Sequence, residues 1–118
     1  AKRTHIAEQF ADPNRYYDGF VTASDSSEIR LKPHRDLYSL ALHRIGVSPH
    51  DFGKVVGFED SESGAIAIRA AGIPLCCALP FVLTRGHVFE AATHTCPGGI
   101  PEVLLNHHVF LPQRRWQR

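Results

Sequence analysis

At 118 residues, with 43% hydrophobic and 21% charged residues, the chain has the material for one packed domain and too much apolar content for a disordered segment. A formal net charge of +1 excludes broad attraction to nucleic acid or to an anionic membrane surface, since both need a basic face. No apolar run approaches the roughly 20 residues of a membrane helix, and the N-terminal AKRTHIAEQF lacks the apolar stretch of a secretory signal.

Residues 1–11 read as the last turns of a helix, with Ile6, Ala7 and Phe10 on one side, and Asp12-Pro13-Asn14 breaks it. Phe20-Val21-Thr22-Ala23 is a short strand candidate and 24–31 a loop. Pro33 keeps Lys32 out of the α region. Asp36 is placed to cap a helix over 37–45, whose Leu37, Leu40, Ala41 and Ile45 share a face. Gly46 fits the left-handed position that ends it, with Val47 as the apolar cap, and Ser48-Pro49 starts one short turn.

The segment 54–72, KVVGFEDSESGAIAIRAAG, is the most informative. A short apolar run, Val55-Val56-Gly57-Phe58, predicts a buried, parallel strand that ends in two adjacent carboxylates, Glu59 and Asp60. Ligands of open α/β sheets bind beyond the carboxyl ends of such strands, so these acids are candidates for metal or acid–base work. The plain alternative is a solvated acidic turn. Ser61 or Ser63 can cap a helix over 62–71. Its Gly64, Ala65, Ala67, Ala70 and Ala71 let it lie close to a sheet, and Gly72 stops it. A second strand runs from Ile73 to Leu79. Beyond it the sequence suggests a short helix over 86–91, a minor strand from Thr93 to Cys96, a turn at Pro97-Gly98-Gly99, and a short helix from Ile100 to Asn106. The basic end QRRWQR reads as a solvated tail, about 110–118. Strands alternating with helices over short loops predict an α/β fold with a parallel sheet.

Cys76, Cys77 and Cys96 are odd in number and without regular spacing, which suggests reduced thiols in a cytoplasmic protein. Cys76 and Cys77 sit in an apolar run as small core residues, and the eight histidines are scattered as surface or capping groups.

Two segments resemble a known family. KPHRDLYSLALHRIGVSP is similar to the third motif region of the haloacid dehalogenase-like (HAD) superfamily, and VVGFEDSESGAIAIRAAGI to the fourth motif of its β-phosphoglucomutase-like branch. Order and separation match too, and the resemblance covers about residues 16–80. It implies that residues 1–118 are the C-terminal part of a Rossmann-like HAD core domain performing phosphoryl transfer through a phospho-aspartate. It implies roles as well. Lys32 would contact both the phosphoryl group and the nucleophilic carboxylate. Asp60 would ligate Mg²⁺, Glu59 would be a second acid near the metal, ligating directly or through water, and Ser61 would shape the turn. A lysine and a hard divalent cation neutralise the charge that a carboxylate and a phosphate ester bring together.

The sequence departs from the family at Arg35, where a second proline is usual, and in lacking any Asp-x-Asp motif after an early strand. The nucleophile, the acid–base aspartate and the cap domain are therefore expected from an N-terminal half of the same enzyme, as a second chain or a missing segment. A start at Ala1 and the absence of methionine accord with a chain cut from a longer precursor. The resemblance would also put strand 20–23 on one side of a gap in the sheet, with 54–58 and 73–79 on the other. The substrate class implied is a small phosphorylated metabolite, in particular a sugar phosphate, for a phosphatase or phosphomutase. The alternative is a truncated, non-catalytic homologue that binds an anion through Lys32 and the loop ends.

Overall fold

In the computed structural model, residues 16–107 are described. The expected helix over 1–11, its breaker cluster and the basic tail lie outside them. Helix α1 (Asp36–Arg44) is followed by a 3-10 segment (Pro49–Lys54), strand β1 (Val56–Glu59), helix α2 (Glu62–Ala70), strand β2 (Leu75–Ala78), strand β3 (His94–Thr95), a three-residue helix α3 (Ile100–Glu102) and a π turn (Val103–His107).

Both long helices end as their glycines predict. Gly46 has φ +75°; its N–H donates to His43 O, and Val47 N–H donates to Leu42 O at 3.0 Å. Gly72 has φ +97° and repeats the pattern, with Gly72 N–H to Arg69 O and Ile73 N–H to Ile68 O. This pair of hydrogen bonds satisfies carbonyls that a helix end leaves open. At the start of α2, Ser61 Oγ accepts from Gly64 N–H at 3.2 Å, so Ser61 rather than Ser63 is the cap. Asp36 is different from its expected role. It is the first helical residue, and its carboxylate takes the Arg30 N–H at 2.9 Å and Arg30 Nε at 3.0 Å, closing the loop that carries Lys32.

The sheet has the order β1-β2-β3 with both pairings parallel. Val56 lies opposite Leu75 and Glu59 opposite Ala78, while Cys77 pairs with His94. Helix α2 packs on β1 and β2 and also meets α1. Gly57 permits the approach of α2, because a Cβ there would lie 2.6 Å from Ile68 Cγ2. The core is Leu42, Ala65, Ile68, Ala71, Ile73 and Cys76, with Phe52, Val55 and Phe89 packed against it. All three cysteines are free and buried, and burial pushes the Cys76 thiol up to about 11. They are small core residues, as the sequence suggests for Cys76 and Cys77. No helix among the described residues is long and apolar enough to cross a membrane.

Two expected elements do not form. Residues 20–23 are not a strand, whereas β1 and β2 are neighbours, as expected of 54–58 and 73–79, and among the described residues no strand pairs with the far side of β1. Thr22 instead turns the chain on itself: Asp25 N–H donates to Thr22 O at 3.1 Å and Thr22 Oγ1 donates to Asp25 Oδ1 at 2.9 Å. Arg44 holds this turn to α1 through Phe20 O and Asp25 Oδ2. Nor is there a helix over 86–91. That stretch spends its backbone on turns, such as His87 N–H to Thr84 O, and packs Phe89 and Ala91 against the core.

Candidate active site

The site forms where β1 runs out. Strand alternation buries Glu59, at 8% exposure, and leaves the next residue, Asp60, exposed. A buried carboxylate needs partners, and Glu59 has four. Lys32 Nζ donates to Oε2 at 2.8 Å, and Tyr38 OH donates to the same oxygen. The Asp60 N–H (3.1 Å) and Ser61 Oγ (3.2 Å) donate to Oε1. Burial alone would raise this carboxyl; the hydrogen bonds from Lys32 and then Tyr38 outweigh it and hold Glu59 at about 2. Asp60 moves the other way, raised by hydrogen bonding to Glu59 first, then by burial and by the charge of that neighbour. Tyr38 is raised by burial and by its bond to Glu59.

Lys32, Glu59, Asp60 and Ser61, the four residues singled out in the sequence, thus meet at one point. Lys32 and Glu59 are 27 positions apart in the chain. Their roles divide in a way that the sequence did not reveal. Glu59 is spent on Lys32 and on the turn, and Asp60 is the carboxylate that faces solvent. Two further participants were missed. Tyr38 does not stand out in the helix over 37–45, although a phenol among leucines needs a partner for its hydroxyl when buried. His87 takes the Glu62 N–H on Nδ1 at 3.4 Å and so lies over the start of α2.

Beside Lys32 lies a cleft of about 420 Å³, lined by Val21, Thr22, Leu31, Leu37, Tyr38 and Ala41 among others. It divides the apolar face of α1: Leu42 goes to the core, Leu37 and Ala41 face the cleft, and Tyr38 both lines the cleft and packs against the core. The Lys32 side chain is 36% exposed, and Glu59 uses one of its three N–H donors. A lysine held this way at the rim of an apolar cleft is suited to gripping an anionic group.

The fold has counterparts among solved structures. CbbY from Rhodobacter sphaeroides, solved in complex with phosphate, superposes with a TM-score of 0.66 at 27% identity, over 77% of this chain and 37% of that one. A mutant of CbbY from Rhodobacter sphaeroides, in complex with xylulose-(1,5)-bisphosphate, gives a TM-score of 0.62 at 28% identity, over 71% of this chain and 35% of that one. In sequence, YhcW of Bacillus subtilis (strain 168), a protein that carries a phosphatase name, is 40% identical over 78 residues. The chain is a homologue of HAD-like phosphatases. CbbY of Rhodobacter capsulatus is 34% identical over 92 residues, and the phosphorylated carbohydrates phosphatase of Thermotoga maritima 40% over 62. These alignments cover 66%, 78% and 52% of this chain. The chain spans about a third of these relatives: 33% of YhcW, 38% of CbbY and 26% of the Thermotoga protein. No family model matches the chain. The small α/β architecture and the resemblance drawn from its motifs are borne out by these likenesses.

Proposed function

We propose that this chain supplies the lysine and the acidic turn of a HAD-type phosphatase or phosphomutase acting on a phosphorylated carbohydrate. The observation that carries this reading is the bond between Lys32 Nζ and Glu59 Oε2, at the carboxyl end of β1 and at the rim of the cleft. In it, Lys32 directs its free N–H donors at phosphoryl oxygens, and Glu59 keeps the ammonium in place. The transfer runs through a phospho-aspartate, and that aspartate comes from polypeptide outside these residues: the N-terminal half of the same enzyme, as a second chain or a missing segment. A cytoplasmic location goes with this reading.

Mg²⁺ prefers oxygen ligands and commonly takes one or two carboxylates besides water and phosphate. Asp60 fits that description. Glu59 does not, because each of its oxygens already accepts two hydrogen bonds and it is nearly buried. Among the described residues no three potential metal ligands cluster, so Asp60 would be this chain's contribution and the remaining ligands would come from the other half and the substrate. Bound there, Mg²⁺ would supply neutralising charge to the phosphoryl group in flight. The second reading is a non-catalytic homologue that holds an anion on Lys32, whose ammonium Glu59 fixes at the rim of the cleft without any metal.

The test is phosphate release from a panel of sugar phosphates by native purified material, after its chains have been identified by denaturing mass spectrometry. Mg²⁺-dependent turnover, with an Asp-x-Asp strand on a second or longer chain, supports the enzyme. A single 13.1 kDa species that binds phosphate without turning over any ester supports the binding module.

A further inference from the structure

Tyr38 touches both members of the buried pair. Its hydroxyl donates to Glu59 Oε2, the oxygen that also accepts from Lys32 Nζ. Its ring stands 5.7 Å, centroid to nitrogen, from the same ammonium. An aromatic face attracts a cation at this range. Tyr38 also lines the cleft, so one side chain forms its wall and fixes its charge.

We infer that Tyr38 is a positioning residue for Lys32. Lysine is a flexible four-carbon stem with a point charge, and one hydrogen bond at its tip leaves much rotational freedom. Its carboxylate partner is fixed on Oε1 by the β1–α2 turn, but Oε2 depends on Lys32 and Tyr38 alone among the bonds described. Without the phenol, Oε2 has a single, mobile donor, and both ends of the ion pair can swing. The ring then closes one flank of the ammonium. Lys32 is left with a narrow range of orientations, its unused donors facing an incoming anion. This inference rests on the reading of Lys32 as the cation that meets phosphate.

The experiment uses the complete protein, with both halves present and with isotopically labelled lysine and tyrosine, followed by NMR. In the unaltered protein, a proton–proton cross-peak between the Tyr38 ring and the Lys32 Cε methylene is expected, together with a slowly exchanging Tyr38 hydroxyl proton. Absence of both overturns the inference without any variant. Tyr38→Phe keeps the ring and removes the hydroxyl. It should move the Lys32 methylene signals toward those of a free lysine and weaken inorganic phosphate binding about tenfold, the loss of one bond to a charged group. Tyr38→Leu should displace the Lys32 signals further. Lys32 signals unchanged in Tyr38→Phe overturn the inference. Signals that respond to Tyr38→Phe but not to phosphate keep Tyr38 as the positioning residue and overturn the phosphoryl reading of Lys32, so the two failures are told apart.

Discussion

Gly64 opens the space that the Glu59 side chain fills: a Cβ at position 64 would overlap Glu59 Cγ, Cδ and Oε2. The glycine near the start of α2 therefore serves the site as well as the close packing of helix on sheet. Its cost of about 1 kcal/mol in helix propensity relative to alanine is outweighed by the room it gives a carboxylate with four donors. Gly64→Ala should destabilise the fold by about 1–3 kcal/mol in urea unfolding, the usual range for overpacking, despite the better helix former. In the Glu59→Ala background the same change should be neutral or stabilising. A destabilisation of equal size in both backgrounds contradicts the relationship.

Acid should weaken this protein over a defined window. The folded Glu59 carboxyl sits at about 2, below its ordinary 4.5. A depressed carboxyl gives stability that is fully present above its unfolded value and is lost as pH falls through its folded value. Glu59 thus predicts a fall in stability from about pH 5 to about pH 2. Asp60 has the opposite sign: raised in the fold, it disfavours folding when ionised and is relieved by protonation. Asp60→Asn should steepen the acid loss, and Lys32→Met should flatten it, as read from melting temperatures across that range.

The two left-handed glycines separate backbone strain from steric overlap. At Gly46, φ is +75° and an added Cβ meets nothing within 4 Å; at Gly72, φ is +97° and it would meet Phe52 Cδ2 at 3.0 Å. Gly46→Ala should cost about 1–2 kcal/mol from the left-handed conformation alone. Gly72→Ala should cost more, since Phe52 packs against the core. Equal losses on chemical denaturation would mean that Phe52 shifts freely.

Ser61→Ala removes the cap that accepts Gly64 N–H and the hydroxyl that donates to Glu59 Oε1. A capping residue is worth about 0.5–2 kcal/mol, and this change should fall at the upper end because a buried carboxylate oxygen loses a donor too. Ser63→Ala, on the exposed side of α2, should lie within about 0.5 kcal/mol of the parent. The comparison is made by thermal unfolding of both variants.

The elements that are read well in the sequence are those with strong local punctuation. Gly46 and Gly72 fix two helix ends, Ser61 one start, and the apolar run before Glu59 a strand. The failures come where local signals are overruled by what lies alongside. Phe20–Ala23 has strand-like residues but no strand among the described residues to pair with, and Thr22 and Asp25 complete a turn instead. Residues 86–91 lack a cap and a helical stripe, and Phe89 is drawn to the core by packing. The division of labour between Glu59 and Asp60 is a tertiary matter, since only the arrival of Lys32 and Tyr38 decides which acid is used up. Gly64, five residues after Glu59, was a sequence sign of that arrangement that composition alone explains as packing.

The phosphoryl role of Lys32 is tested by the Mg²⁺-dependent turnover of a sugar phosphate by the complete protein carrying Lys32→Ala. Losing one electrostatic stabiliser of a developing charge typically costs about 10²–10³ in rate. Turnover reduced by that factor, with the fold retained, is the result expected of a lysine that meets the phosphoryl group. Unchanged turnover in a folded Lys32→Ala protein would contradict it and leave the Lys32–Glu59 pair as a structural bond alone.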